Sequence, residues 1–381
     1  MERLEELREK IDGIDDEIVA LYRSRMEVCK DIALFKSSKG LPVLNTVRES
    51  QVLSRVMKGM PDELSVFVRQ LFSTILETSK AYQDRLFDVR SGIREEIEAK
   101  LRQGGKPFPL SATVVCEGEP GAFSSLASDR LFPNAAQIFV QDSESVFNAL
   151  EKGLSCFGVL PIENGLTGSI DDVYDLMRRH HFHIVRAIRF PVKHYLLASV
   201  GVELESIAQV SSDPHALGQG SELKKPLVDT SVAACENKAA AAKTPSEIKR
   251  IDAACIASNE CASVYPHSIL KESVQDNNLS NTRFIAISKE FDIYESARKI
   301  SMVIDLRHEP GSLSRLLNKF SAMNLNLTKL ESRPIASSPF EFSFYLDFEA
   351  DISDEGVLNL LSEIEKSSNR FTFLGSYDEV Q

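Results

Sequence analysis

The chain has 381 residues, of which 43% are apolar and 26% charged, with a formal net charge of −12. At about 100–200 residues per domain the length predicts two or three domains, and the composition excludes a wholly disordered or collagen-like chain. The acidic balance argues against nucleic acid as the main partner, and no run approaches the ~18 consecutive apolar residues of a membrane span. The start, Met1 to Arg8, is densely charged and lacks the apolar core of a secretory signal. Six cysteines, at 29, 116, 156, 235, 255 and 261, form no CxxC pair and read as reduced thiols. A cytoplasmic protein is expected. Charge is uneven: residues 1–90 hold 15 basic against 16 acidic residues, and the remainder 29 against 40. The first segment is the relatively basic one, which suits an anionic ligand.

Residues 1–90 read as all helix. Positions 4, 7, 11, 14, 18, 21, 25, 28, 32 and 35 alternate spacings of three and four and are apolar at every place but 25. Gly40 and Pro42 end this helix, a second covers about 46–58 and stops at Gly59, and Pro61 opens a third. The third carries an apolar stripe of Leu64, Val68, Leu71, Ile75, Tyr82 and Leu86. Residues 93–102 make a short charged helix within a linker at 91–109. Over 110–290, candidate strands at 112–116, 137–140, 156–161, 183–189, 194–200, 206–211 and 283–288 alternate with helices. That rhythm predicts an α/β domain with largely parallel sheets. Neither GxGxxG nor GxxxxGK[ST] occurs. Over 298–378 the order is strand 299–307, helix 312–323, strands 325–333 and 340–349, helix 354–366 and strand 370–376. This βαββαβ order predicts a ferredoxin-like α+β domain.

Arg25 is the misfit of the first helix. A guanidinium in an apolar seam is very costly without an anionic partner. An inter-helix salt bridge or a register-fixing polar residue is the plain alternative. Yet Arg8 and Lys36 flank the same seam, Arg48 begins the next helix and Glu49 follows it. Cations converging on an apolar bundle suit a polyanionic small molecule. As one helix, 4–36 spans roughly 50 Å, and Arg8 and Arg25 lie roughly 25 Å apart along its axis. An antiparallel homodimer meets both constraints by bringing the partner's Arg8 near Arg25. Ser79 lies on the stripe of the third helix, with Gln83 one turn later.

Over residues 1–90 the chain resembles the all-helical chorismate mutases, through LREKIDGID at 7–15, Arg25, Lys36, VRES at 47–50 and ETSKAYQ at 77–83. The resemblance implies an active site of Arg8 from the partner chain, Arg25, Lys36, Arg48, Glu49, Ser79 and Gln83. Asn45 stands there as a substrate contact where relatives often carry Asp. The implied reaction is the Claisen rearrangement of chorismate to prephenate. It needs a folded dicarboxylate held in place and a stabilised ether oxygen, for which Lys36 and Gln83 are suited.

Four polar clusters mark the middle segment: Gly118 to Ser124, Pro161 to Gly168, Ser211 to His215 and Asn281 to Phe284. Singly each is an ordinary turn sequence, although the second and third follow strand ends, where ligands of α/β folds bind. No nucleophile triad or metal spacing is present, so no metal and no cofactor are expected. With VLPIEN at 159–164, the run Gly168 to Tyr174 and the triplet Thr282-Arg283-Phe284, nearly all of 111–290 resembles the prephenate dehydratases. That resemblance implies two α/β lobes like a periplasmic binding protein, with Glu163, Asn164, Ser212, Gln219, Thr282 and Arg283 lining the cleft. Gly165, Asp213 and His215 depart from the family's usual Ser or Thr, His and Gln. Prephenate loses carbon dioxide and its ring hydroxyl; Thr282 would donate to the departing oxygen and Arg283 would hold a carboxylate.

Residues 309–313 (EPGSL) and 326–334 (NLTKLESRP) resemble an ACT regulatory domain. This implies L-phenylalanine as effector, held by Gly311, Ser312, Leu313, Asn326, Glu331, Ser332 and Arg333. An exposed helix N-terminus suits its carboxylate; relatives usually carry Ala at 312. A plain dimerisation domain is the alternative, and deletion of 298–381 is expected to abolish feedback while leaving dehydratase turnover. Two rival functions are an arogenate-preferring dehydratase and a non-catalytic amino-acid or keto-acid sensor. The run His180 to His183 lacks the spacing of a helical zinc pair, and the Ala-rich stretch 239–242 reads as ordinary helix.

Overall fold

The computed structural model describes residues 2–41, 43, 45–86, 91–166, 168–212, 231–234, 252–275, 281–335 and 338–380. The chain divides into two compact units, Met1–Glu95 with Asn359–Ser367, and Glu96–Leu358 with Ser368–Gln381. The stretch 239–242, Asp213 and His215 lie outside the described residues.

The first unit contains α1 (Glu2–Ser38), α2 (Thr46–Met57) and α3 (Asp62–Leu86). Gly40 and Gly59 follow α1 and α2 with positive φ, the conformation a glycine adopts without a Cβ penalty. Asn45 caps α2, its Oδ1 accepting from the Arg48 backbone N at 3.0 Å. Of the residues of α1 only Cys29 and Ala33 are buried, while Leu4, Leu7, Ile11, Ile14, Ile18, Leu21, Val28, Ile32 and Phe35 are exposed. Ser91 ties the start of α4 (Gly92–Arg102) to the 359–367 stretch by donating to Ser362 Oγ at 2.9 Å.

The second unit opens with a lobe of β1 (Thr113–Glu117), α5 (Phe123–Leu131), β2 (Ala136–Val140), α6 (Ser143–Glu151), β3 (Phe157–Asn164), β4 (Gly168–Ser169), α7 (Asp171–His180) and β5 (His183–Pro191). The chain then builds a second sheet from β6 (Tyr195–Ser199), β7 (Gln209–Ser212), β8 (Ser231–Ala234), β9 (Ala253–Ala257) and β10 (His267–Lys271), with the short helix α8 (Asn259–Val264). It returns to the first lobe through β11 (Asn281–Ser288) and ends in β12 (Lys299–Asp305), α9 (Ser312–Ala322), β13 (Leu327–Ile335), β14 (Ser338–Glu349), α10 (Glu355–Ser367) and β15 (Arg370–Val380).

Among the described residues, one sheet runs β13-β14-β12-β15-β5-β11-β3-β1-β2, with β4 on β3, and the other β10-β6-β9-β7-β8. The expectation of largely parallel sheets does not hold. β2, β1 and β3 are parallel, but β11 is antiparallel to both β3 and β5. A strand that re-enters a sheet at the end where β5 left it must run in the opposite direction. In the second sheet β8, β7 and β9 are parallel, whereas β6 opposes β9 and β10 opposes β6.

The terminal strand joins two parts of this unit. β15 pairs with β12, then Asp378 to Val380 pair with Arg186 to Ile188 of β5. Gly375, at the register shift within the pairing with β12, has a φ of 143°, and a Cβ there would stand 2.2 Å from Ile184 O. One buried cluster holds Val146, Leu160, Ile184 and Ile285 of the first lobe together with Val303, Tyr345, Leu374 and Tyr377 of the C-terminal strands. The expected linker is also packed: Phe108 lies 4.9 Å from the Phe132 ring and under the Arg186 guanidinium, and Lys106 pairs with Asp292 at 3.0 Å.

Candidate active sites

In the helical unit, Arg25 and Lys36 stand on α1, Arg48 and Glu49 in the first turn of α2, and the buried Ser79 and Gln83 on α3. The Arg25 guanidinium donates to Ser79 Oγ and reaches Ile75 O at 3.5 Å. Among the described residues no carboxylate pairs with it, an arrangement that suits an anion. Gln83 Nε2 donates to Ser79 O at 3.2 Å, and Lys36 Nζ to Val43 O at 2.7 Å. Glu49 forms an ion pair with Lys80 at 2.8 Å. Lys80 was missed by sequence reasoning, although it neighbours Ser79 and a lone acid among cations calls for a counter-charge. Arg8 is exposed and bonded to Glu5 at 2.9 Å, so within one chain it does not join the others. Asn45 contributes the cap described above.

In the two-lobed unit, Asn164 closes β3 and Thr282 sits at the facing end of β11, opposite each other in register. Asn164 Oδ1 accepts from the Leu166 backbone N at 2.9 Å, which fixes the amide and turns Nδ2 to Thr282 Oγ1, also at 2.9 Å. Thr282 accepts here, so its own proton is available to another oxygen. Ser212 ends β7 in the second sheet, is fully buried and donates to Ile256 O at 2.9 Å. Gln219 lies outside the described residues. The loop after β1 meets the second lobe where Ser258 Oγ donates to Gly121 O at 2.7 Å.

The expectation for Arg283 requires correction, and Glu163 stands opposite it. They form the next register pair, and successive residues of a strand project to opposite faces. Arg283 is only 7% exposed and contacts Asp347 at 2.5 Å, Tyr377 OH at 2.5 Å and Glu379 at 2.7 Å. Burial works against its charge, yet the Tyr377 oxygen and the carboxylates of Asp347 and Glu379 hold its pKa well above the ordinary arginine value. A guanidinium so occupied does not clamp a substrate carboxylate. Glu163 lies 3.2 Å from Lys329 and 3.7 Å from Arg283.

The residues expected to hold an effector divide in the same way. Gly311, with φ of 83°, precedes α9, and Glu309, Ser312 and Leu313 line a pocket of about 120 Å³ with Phe342 and Phe344. Ser312 Oγ accepts from Arg315 at 2.9 Å. Asn326 O accepts from Glu349 N at 3.2 Å. Glu331 and Arg333 are not in that pocket: Glu331 meets Ser169 and Lys329, and Arg333 meets Asp171. Alternation along β13 explains this, since Lys329, Glu331 and Arg333 face inward while Ser332 is exposed with Thr328 and Leu330. Among the described residues no cluster of His, Cys, Asp and Glu can hold a metal, and no helix is long and apolar enough to cross a membrane.

The prephenate dehydratase family model matches residues 114–292, and the model for chorismate mutase type II matches residues 7–84. A protein of Arabidopsis thaliana, arogenate dehydratase/prephenate dehydratase 2, chloroplastic, is 37% identical over 315 residues, which cover 79% of this chain and 81% of that protein. Arogenate dehydratase 1 of Petunia hybrida is 36% identical over 291 residues, covering 71% and 68%. The crystal structure of a prephenate dehydratase in complex with L-Phe from Arthrobacter aurescens superposes with a TM-score of 0.63 at 26% identity, covering 70% of this chain and 89% of that one.

Proposed function

The chain belongs to the prephenate dehydratase family, and from that premise we propose a bifunctional enzyme: chorismate is rearranged to prephenate by the helical segment, and prephenate becomes phenylpyruvate between the two lobes. The observation that carries the second activity is the Asn164–Thr282 hydrogen bond at the carboxyl end of β3. As the ring carboxylate leaves as carbon dioxide, its electron pair enters the ring and the hydroxyl departs. The Thr282 proton hydrogen-bonds to that oxygen, stabilising the charge that develops on it. Asn164 holds the threonine oxygen from the other side. For the mutase, Arg25 and Lys36 bind the folded dianion, and Gln83, fixed through Ser79, lies beside it.

A homodimer completes this reading. The exposed seam of α1 is costly in water, at about 1.5–3 kcal/mol for each large apolar side chain left unburied. An antiparallel second copy would cover it and supply the partner's Arg8. L-phenylalanine is proposed as effector, in a ferredoxin-like ACT unit, at the pocket beside Gly311. Its volume of about 120 Å³ is well below the ~300 Å³ of an ordinary ligand site, so a second copy would complete it. A reducing compartment fits the cysteines, which form no disulfide among the described residues; the cytoplasm is the proposed one, and cell fractionation tests it against an organelle.

A second reading takes arogenate as the dehydratase substrate, giving phenylalanine directly, and is favoured by the names of the plant relatives. Measuring kcat/KM for prephenate and arogenate on the full chain decides between them. Failure to turn over either would leave the sensor reading.

A further inference from the structure

We infer that Arg283 is a positioning residue for the Asn164–Thr282 pair, and that C-terminal strand residues Asp347, Tyr377 and Glu379 hold it there, which makes those strands part of the dehydratase machinery. This rests on the dehydratase reading above. Thr282 and Arg283 are consecutive in β11, so the position of one backbone unit sets both side chains. Thr282 meets Asn164 on one face, and Arg283 is clamped on the other.

The clamp is a closed hydrogen-bond ring. Arg283 Nη1 donates to Asp347 Oδ2 and Nη2 to Tyr377 OH, both at 2.5 Å. Ser301 Oγ donates to Asp347 Oδ1 at 2.5 Å and lies 2.6 Å from Tyr377 OH. Because the Tyr377 oxygen accepts from Arg283 while the Ser301 proton goes to Asp347, the tyrosine proton must go to Ser301. Each of these four hydrogen bonds joins one donor to one acceptor. Outside it, Glu379 faces Arg283 Nε and accepts from Lys299. These partners come from β12, β14 and β15, so three strands of the C-terminal segment fix one residue of the cleft strand. Buried rings of this kind act as a unit, since removing one member leaves another unsatisfied.

The test uses full-length chain with prephenate and arogenate as probes, and compares Tyr377→Phe, Asp347→Asn, Thr282→Ala and the double variant Tyr377→Phe/Thr282→Ala. Thermal melting and mutase turnover serve as controls of folding. Tyr377→Phe and Asp347→Asn should each lower dehydratase kcat about 10–100-fold with KM nearly unchanged, the size of effect that sub-ångström misplacement produces. If the ring acts through Thr282, Tyr377→Phe should cost nothing further once Thr282 is alanine. An ordinary kcat in both ring variants, or a loss that multiplies with Thr282→Ala, overturns the inference while the dehydratase reading stands. A wild-type chain that turns over neither substrate overturns both.

Discussion

Asn164 presents its amide to Thr282 because its carbonyl oxygen is already held by Leu166 N, and that polarity is testable. Thr282→Ala should lower dehydratase kcat about 10²–10³-fold, with KM little changed and Thr282→Ser retaining most of the rate. Asn164→Asp should be nearly as damaging, because a carboxylate would draw the threonine proton to itself. Steady-state kinetics on each variant check this, and an Asn164→Asp enzyme of ordinary kcat would contradict the assigned direction. The residue types at these positions were legible in the sequence, but their faces were not. Arg283 reads as a carboxylate clamp in one dimension. The pairing of β11 with β3 sends it to the side opposite Thr282, and a register is set by neighbouring strands. Lys80 escaped notice for a similar reason, since its partner Glu49 is on another helix.

At the level of elements, α1 poses the sharpest question because its apolar face is exposed among the described residues. Leu21 is 71% exposed. A charge there should cost the monomer about 0.5 kcal/mol or less, but it would sit in the seam of the proposed dimer. Leu21→Asp is expected to yield monomers by sedimentation equilibrium and to lose mutase activity, since Arg8 comes from the partner; an unchanged mass would contradict the seam as interface. Helices α1 to α3 were legible because their spacing and stops are local. The sequence pattern does not announce β8, β9 or β10: Ala-Ala-Cys-Ile-Ala of β9, for example, is buried throughout and carries no alternation. Gly375 was equally silent, yet Gly375→Ala should destabilise by about 1–3 kcal/mol through the contact with Ile184 O, read as a lower Tm.

For the whole molecule, acid should weaken the joint between the first lobe and the C-terminal strands. Burial holds the His183 imidazole down to about 4 from an ordinary 6.5. Between those values the unfolded chain takes up a proton that the folded one refuses, so stability is fully present above 6.5 and falls as pH drops toward 4. Burial alone would raise the Glu379 carboxyl, but Arg283 and Lys299 outweigh it and hold its pKa below 4.5, so its contribution too is lost on acidification. Denaturant unfolding at stepped pH should show the slope, flattened in His183→Gln.

Two chemically independent sites in one chain are the central claim, and a coupled assay with three proteins tests it most directly. Wild-type chain given chorismate should consume it and produce phenylpyruvate, or phenylalanine if an added aminotransferase with its amino donor first converts prephenate to arogenate. Arg25→Ala should lose about 10²–10³ in chorismate consumption yet turn over supplied dehydratase substrate at the wild-type rate. Thr282→Ala should consume chorismate normally and accumulate prephenate. A folded Arg25→Ala chain that loses both activities together would contradict the claim.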